Sequence, residues 1–269
     1  MQTRINEGAL LRPFLWVAVA LTVAGAPLAA RAADCSPLGI RHPAHVRYVI
    51  DGDTVILDGG RHIRIVGLNA PEIGHDGAPD QPFARAARNR LIALLASTHD
   101  RIAWSTAPDR RDHYGRTLAH IYVHGRDAAR LLLRAGLAAV IAIPPNVRRS
   151  ACYAAAETVA RVAHRGLWSH AAGVVRGGDV AADGFQIVRD RVTHVSVKRA
   201  GTQLTLAGGL AIWIPAADRH YFRRPPKRLD GRQILVRGWL HDYHGRPEIT
   251  VRHPAVLTVL DNAAPASGY

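Results

Sequence analysis

The chain lacks the residues that several common protein classes depend on. It has two cysteines and one methionine in 269 residues. It contains neither a Cys-x-x-Cys pair nor a His-Glu-x-x-His run, so its 15 histidines give no zinc signature. Aromatic residues make up only 6% of the chain, which argues for phosphate contacts over an extended base-stacking platform. Acid is also scarce, with 21 Asp and Glu against 35 Lys and Arg and a formal charge of +14. A pI near 11.0 calls for an acidic partner, either nucleic acid or an anionic membrane surface. The apolar run over residues 14–24 is broken by Gly25 and Pro27, short of the roughly 20 residues that a membrane span needs.

What is present supports a globular protein, since 48% of the residues are hydrophobic and can fill real cores. Arg4 and Arg12 precede that broken apolar run, and small residues follow it as far as Ala33. This order predicts a secretory signal peptide over residues 1–33, with cleavage after Ala32. The mature chain is then expected to be periplasmic or secreted, with no stable membrane insertion. Asp34 before Cys35 fits a lipoprotein signal poorly. In such a compartment Cys35 and Cys152 are expected to form one disulfide, contributing about 2 to 4 kcal/mol. The alternative is two unpaired buried thiols.

Most of the informative acid lies between residues 49 and 72. Asp51 and Asp53 flank Gly52, so a turn there can aim both carboxylates at one place where a hard cation would take oxygen ligands. Arg64 sits between Ile63 and Ile65 in a strand-like alternation, and Pro71 presents Glu72 just beyond it. Downstream, Asp112-His113-Tyr114-Gly115-Arg116 precedes another strand-like run over residues 118–123. Paired carboxylates, an amide, guanidiniums and a separate carboxylate suit metal-assisted phosphoryl transfer.

Taken together, these motifs over residues 46–168 resemble the staphylococcal nuclease (thermonuclease) family, as a secreted or periplasmic bacterial member with an extra C-terminal domain. The resemblance implies a calcium site at Asp53, Asn69 and the Ala70 carbonyl, with Asp51 behind them. Asn69 replaces the family's usual aspartate, which lowers the negative charge and leaves room for another divalent ion. The resemblance also implies that Arg64 and Arg116 grip the phosphate, that Glu72 activates or orients the attacking water, and that Tyr114 lies near the bound nucleotide. Taken singly, the same residues read as ordinary rim salt bridges, Arg64 with Glu72 or Arg116 with Asp112. The family's further tyrosines fall on Ala142 and Pro144, so base stacking is lost there. DNA and RNA are the implied partners. The alternative is a non-catalytic nucleic-acid-binding protein with two barrels.

The rest of the chain reads as mainly β with some α. Short strands over residues 45–66, 101–105 and 118–123, with three helices, predict an oligonucleotide-binding (OB) fold barrel over 34–170. Asp80 reads as the N-cap of the first helix, Asp127 caps the second, Gly136 stops it, and the third runs over 151–164. Residues 171–183 read as a linker, 184–262 as a second, OB-like barrel of about five strands, and 263–269 as a tail. In the second barrel Arg223, Arg224 and Lys227, beside Arg228, are candidate phosphate contacts or a solvated loop. Trp213, Tyr221, Phe222 and Trp239 could stack bases, but most are read as core.

Overall fold

The structure, a computed structural model, describes residues 35–37, 39–169, 174–181 and 183–260. The predicted leader and tail lie outside the described residues.

Strand β1 (His42–Val49) turns at Asp51 into β2 (Thr54–Leu57), which pairs with β3 (His62–Ile65), all antiparallel. The short β4 (Leu68–Asn69) and helix α1 (Ala84–Ala96) follow, then β5 (Arg101–Arg111) and β6 (Thr117–Val123). β5 pairs with β1, β6 pairs with β5, and β6 closes the ring by running parallel to β3. This gives a five-stranded barrel whose lining includes Val55, Ile63, Ile65, Ala119 and Ile121, all fully buried. Next come β7 (Arg126–Asp127), α2 (Ala128–Ala135), β8 (Ala139–Val140) and α3 (Ser150–Val162). β8 pairs with β4 and so ties the helical layer to the strand that carries Asn69.

Two helix ends follow the sequence. The Asp127 side chain accepts from the Arg130 N–H, and Gly136 stops α2 at a left-handed φ of 75°. The first helix does not. Asp80 instead accepts from the Gly74 N–H and pairs with Arg85, while α1 starts after Phe83, which has a φ of 69° and no side-chain cap. The Asp80 carboxylate is thus committed to the loop before the helix.

Cys35 and Cys152 form a disulfide with a Cα–Cα distance of 5.6 Å. The same corner is fixed by Arg149, which bonds to Asp127 and to the Cys35 and Ser36 carbonyls. Tyr153 donates to Asp127 at 2.9 Å and meets His120 at 2.9 Å.

The second sheet begins with β9 (Val174–Arg176), inside the stretch that reads as a linker, and continues through β10 (Gly184–Val197), β11 (Gly201–Leu206) and β12 (Ala211–Pro215). It is completed by β13 (Gln233–Asp242), β14 (Pro247–Thr250) and β15 (Leu257–Leu260). β10, β11, β12, β14 and β13 close a ring in that order, with β12 and β14 parallel. The first barrel has the same cyclic order and places its parallel pair in the same position. β9 and β15 extend the sheet beyond the ring. Where the first barrel has α1, the second has short 3₁₀ helices, Ala216–Tyr221 and Pro226–Leu229.

Both barrels belong to one compact unit. Glu157 of α3 joins them: it accepts from the Val140 N–H at 2.8 Å and pairs with Arg237 of β13, and both side chains are buried. No described helix is long and apolar enough to cross a membrane.

Candidate active site

The turn between β1 and β2 is built for close approach. A Cβ on Gly52 would lie 2.6 Å from the Ala87 Cβ and 2.7 Å from the Ala70 Cβ, so only glycine lets α1 and the 70s loop pack on it. The Asp51 Oδ1 accepts from the Asp53 N–H at 2.8 Å and fixes the turn. Asp53, 1% exposed, accepts from the Thr54 hydroxyl at 2.9 Å and from the Ala70 N–H at 2.7 Å. The β2–β3 register sets Thr54 opposite Arg64, which brings the Arg64 Nη1 to 2.9 Å from the Asp53 Oδ2.

Arg64 is buried and held on every side. It donates to the carbonyls of Ile65 (3.1 Å) and Leu68 (3.0 Å) and, through Nη2, to the Asn69 Oδ1 at 2.9 Å. The Asn69 amide nitrogen donates to the Ala70 carbonyl at 3.3 Å. The structure therefore gathers Asp51, Asp53, Arg64, Asn69 and Ala70 in one place, with the Asn69 oxygen turned to the guanidinium.

Charge there does not balance. Burial pushes the Asp53 carboxyl up to about 7, Asp51 and Glu72 add to the rise, and Arg64 opposes it. Glu72 is raised by burial and then by Asp51, while Arg64 and Arg116 pull it down. Carboxylates crowded to this degree fit a hard cation, which would relieve their repulsion. The donors are oxygen: two carboxylates, an amide and a main-chain carbonyl. Among the described residues no three His, Cys, Asp or Glu side chains form a ready cage, so water and substrate oxygens would complete the shell.

Arg64, Asn69, Glu72, Tyr114 and Arg116 line one cleft of about 580 Å³. Arg116 is oriented by Asp112, which accepts its Nε at 2.7 Å and its backbone N–H at 2.9 Å. Although burial opposes it, hydrogen bonds from Arg116 and Tyr114 hold the Asp112 carboxyl below its ordinary range. Arg116 also stacks over the Tyr114 ring, 5.2 Å from its centroid. The Glu72 N–H donates to the Gln81 side chain at 2.9 Å, anchoring the loop that presents the carboxylate. Arg223, Arg224 and Lys227 are exposed, line no part of this cleft, and pair with no carboxylate among the described residues.

Of the two salt bridges read from the sequence, Arg116 with Asp112 is present, whereas Arg64 pairs with Asp53 and not with Glu72, because the β2–β3 register sets it beside the turn. Sequence reasoning did not place Trp239 of β13 in this cleft, whose wall it lines. No local pattern could have shown that.

Comparison with known proteins points to one family. The staphylococcal nuclease homologue family matches residues 62–170. The thermonuclease of Staphylococcus intermedius is 31% identical over 126 residues, covering 46% of this chain and 74% of that protein. The probable endonuclease LCL3 of Paracoccidioides lutzii is 37% identical over 125 residues, covering 42% of this chain and 35% of the relative. For the probable endonuclease lcl3 of Pyrenophora tritici-repentis the figures are 37% over 115 residues, 40% and 41%. The chain thus spans well under half the length of these fungal relatives. The second barrel begins beyond the residues matched by the family.

Proposed function

Because this chain belongs to the staphylococcal nuclease homologue family, we propose that it is a metal-dependent nuclease that hydrolyses phosphodiester bonds of DNA and RNA. The observation that carries this reading is the convergence of Arg64, Arg116 and Glu72 on one cleft backed by Asp51 and Asp53.

The two guanidiniums grip the non-bridging oxygens of a phosphate and stabilise the charge that builds up at five-coordinate phosphorus. Both are held in advance, Arg64 by Asp53 and Asn69 and Arg116 by Asp112, so little reorganisation is needed when substrate arrives. Glu72 takes a proton from the attacking water, and its raised pKa makes it a better base than an ordinary carboxylate. In-line attack expels the 5′ oxygen and leaves a 3′-phosphate. Asp53, with the Asn69 amide and the Ala70 carbonyl, would hold calcium or another divalent ion, and Asp51 would act from behind. The ion supplies positive charge and Lewis acidity. The Cys35–Cys152 bridge supports an oxidising compartment, periplasmic or secreted.

One observation favours a reading as a binding protein without catalysis: the Asn69 oxygen is turned to Arg64. That reading gives Glu72 no role, because a carboxylate beside a phosphate weakens binding. The test is digestion of single- and double-stranded DNA and RNA with each divalent ion in turn. Cutting that a chelator abolishes supports the nuclease. Binding without turnover under every ion overturns it.

A further inference from the structure

The cleft is not lined by the first barrel alone. Trp239 of the second barrel reaches its wall, together with Ile141, Ile143 and Tyr114. Of these, Tyr114 is 72% exposed, Ile143 45% and Trp239 44%. Large apolar side chains left open to water beside buried charge mark a surface built to be covered.

The placement of Trp239 is determined. On β10, Phe185 stands opposite it in the β10–β13 register and meets its ring edge-on at 5.2 Å, supporting it from one side. Gly238 precedes it, where a Cβ would come 2.5 Å from the Ile249 Cγ2, so β13 runs close against β14 at this point. Arg237 comes before that and is pinned to Glu157 of α3. Glu157 also holds the β8 backbone at Val140, and β8 pairs with β4, which carries Asn69. An unbroken chain of contacts therefore runs from the strand bearing Asn69 to the strand bearing Trp239.

We propose that Trp239, with Tyr114, forms a base-binding subsite in which an unpaired nucleobase next to the cleaved phosphate stacks on the indole. The second barrel thereby supplies the aromatic surface that the first lacks at Ala142 and Pro144. The occupant is an unpaired base because stacking needs an open ring face, which a base inside a duplex has already given to its neighbours. The basic chain and the two cleft arginines place the backbone, and the indole places the base.

This subsite rests on the nuclease reading for its kinetic test but not for its binding test. The experiment compares the unmodified chain, Trp239→Ala and Trp239→Phe on a single-stranded oligonucleotide cut at one position. It repeats the comparison with an oligonucleotide that is abasic beside that position. Trp239→Ala is expected to raise KM about 5- to 50-fold on the intact strand with kcat little changed, and Trp239→Phe to recover most of the loss. The abasic strand should show the same raised KM for all three proteins. A KM unchanged by Trp239→Ala, or an abasic effect as large in Trp239→Ala as in the unmodified chain, overturns the subsite. If none of the proteins cuts, fluorescence anisotropy with the same labelled strands decides. A loss of affinity on Trp239→Ala that the abasic strand abolishes upholds the subsite while the nuclease reading fails. Equal affinity of all three proteins for the intact strand overturns the subsite as well.

Discussion

The two barrels share one strand order and one position for their parallel pair, yet only the first gathers several buried carboxylates at one rim. In the first, Asp51, Asp53 and Glu72 crowd around Arg64 and Arg116, and Arg116 is already engaged by Asp112. In the second, the buried charges stand singly: Asp218 pairs with Arg252 at 2.8 Å, Glu248 lies 3.4 Å from His241, and Arg237 pairs across the junction with Glu157 of α3, much as Asp127 pairs with Arg149 away from the first barrel's cleft. A matched pair can hold a fold together, whereas an unmatched cluster is tolerated only where something from outside completes it. On the proposed function, the same scaffold carries the reaction in one copy and positions substrate from the other.

The difference between the barrels is strained most by removing a cation of the crowded cleft. Arg116→Ala should reduce cutting by about 10²- to 10³-fold, with the thermal midpoint little changed because the side chain is only partly buried. A large drop in Tm with cutting preserved would reverse the roles assigned to the two kinds of charge. Breaking the matched pair at the junction should do the opposite. Glu157→Ala leaves Arg237 buried without its carboxylate and should cost about 3 to 5 kcal/mol in urea unfolding. Replacing both partners with apolar residues should restore much of that. A loss below about 1 kcal/mol would show that the pair does not fasten the barrels together.

A third measurement reads the imbalance directly. The folded pKa of Asp53, about 7, lies above its ordinary 3.8, so the folded metal-free chain keeps a proton that the unfolded chain releases. Stability of the metal-free protein should therefore fall as pH rises through that window. Calcium takes the proton's place, so at about 100 times its Kd it should add about 2.7 kcal/mol at high pH and progressively less in acid. Equal stabilisation by calcium at about pH 5 and pH 8 would contradict the sign of that shift. The smallest effect is expected in the second barrel. Arg223→Ala or Lys227→Ala should each reduce the salt slope of DNA binding by about one, with kcat unchanged. An unchanged slope would make that loop a solvated turn.

Much of the first barrel was legible because its signals are local. Asp51, Gly52 and Asp53 lie within one turn, Arg64 is one hairpin away, and Asp112 prepares Arg116 from four residues back. Asp127 and Gly136 bounded α2 for the same reason. Contacts set by packing were not legible. Glu157 looks like one more polar residue on a helix until Arg237 is set against it from 80 residues away. Trp239 reads as core or as a stacking side chain by residue type, and only the meeting of two barrels places it on a cleft wall. Asp80 misled because a loop amide and Arg85 compete for the carboxylate that a helix N-cap would use. β9 is three residues long and carries no period.

On the proposed function, Glu72 drives hydrolysis in a cleft that a cation completes. Its most direct test is the rate at which 3′-phosphate ends appear on a defined single-stranded DNA with calcium, for the unmodified chain and Glu72→Gln, with binding measured in parallel. The account predicts cutting that a chelator abolishes and that falls by about 10²- to 10⁴-fold in Glu72→Gln, while that variant still binds the strand. Equal cutting by both proteins, or cutting that persists in chelator, would contradict it.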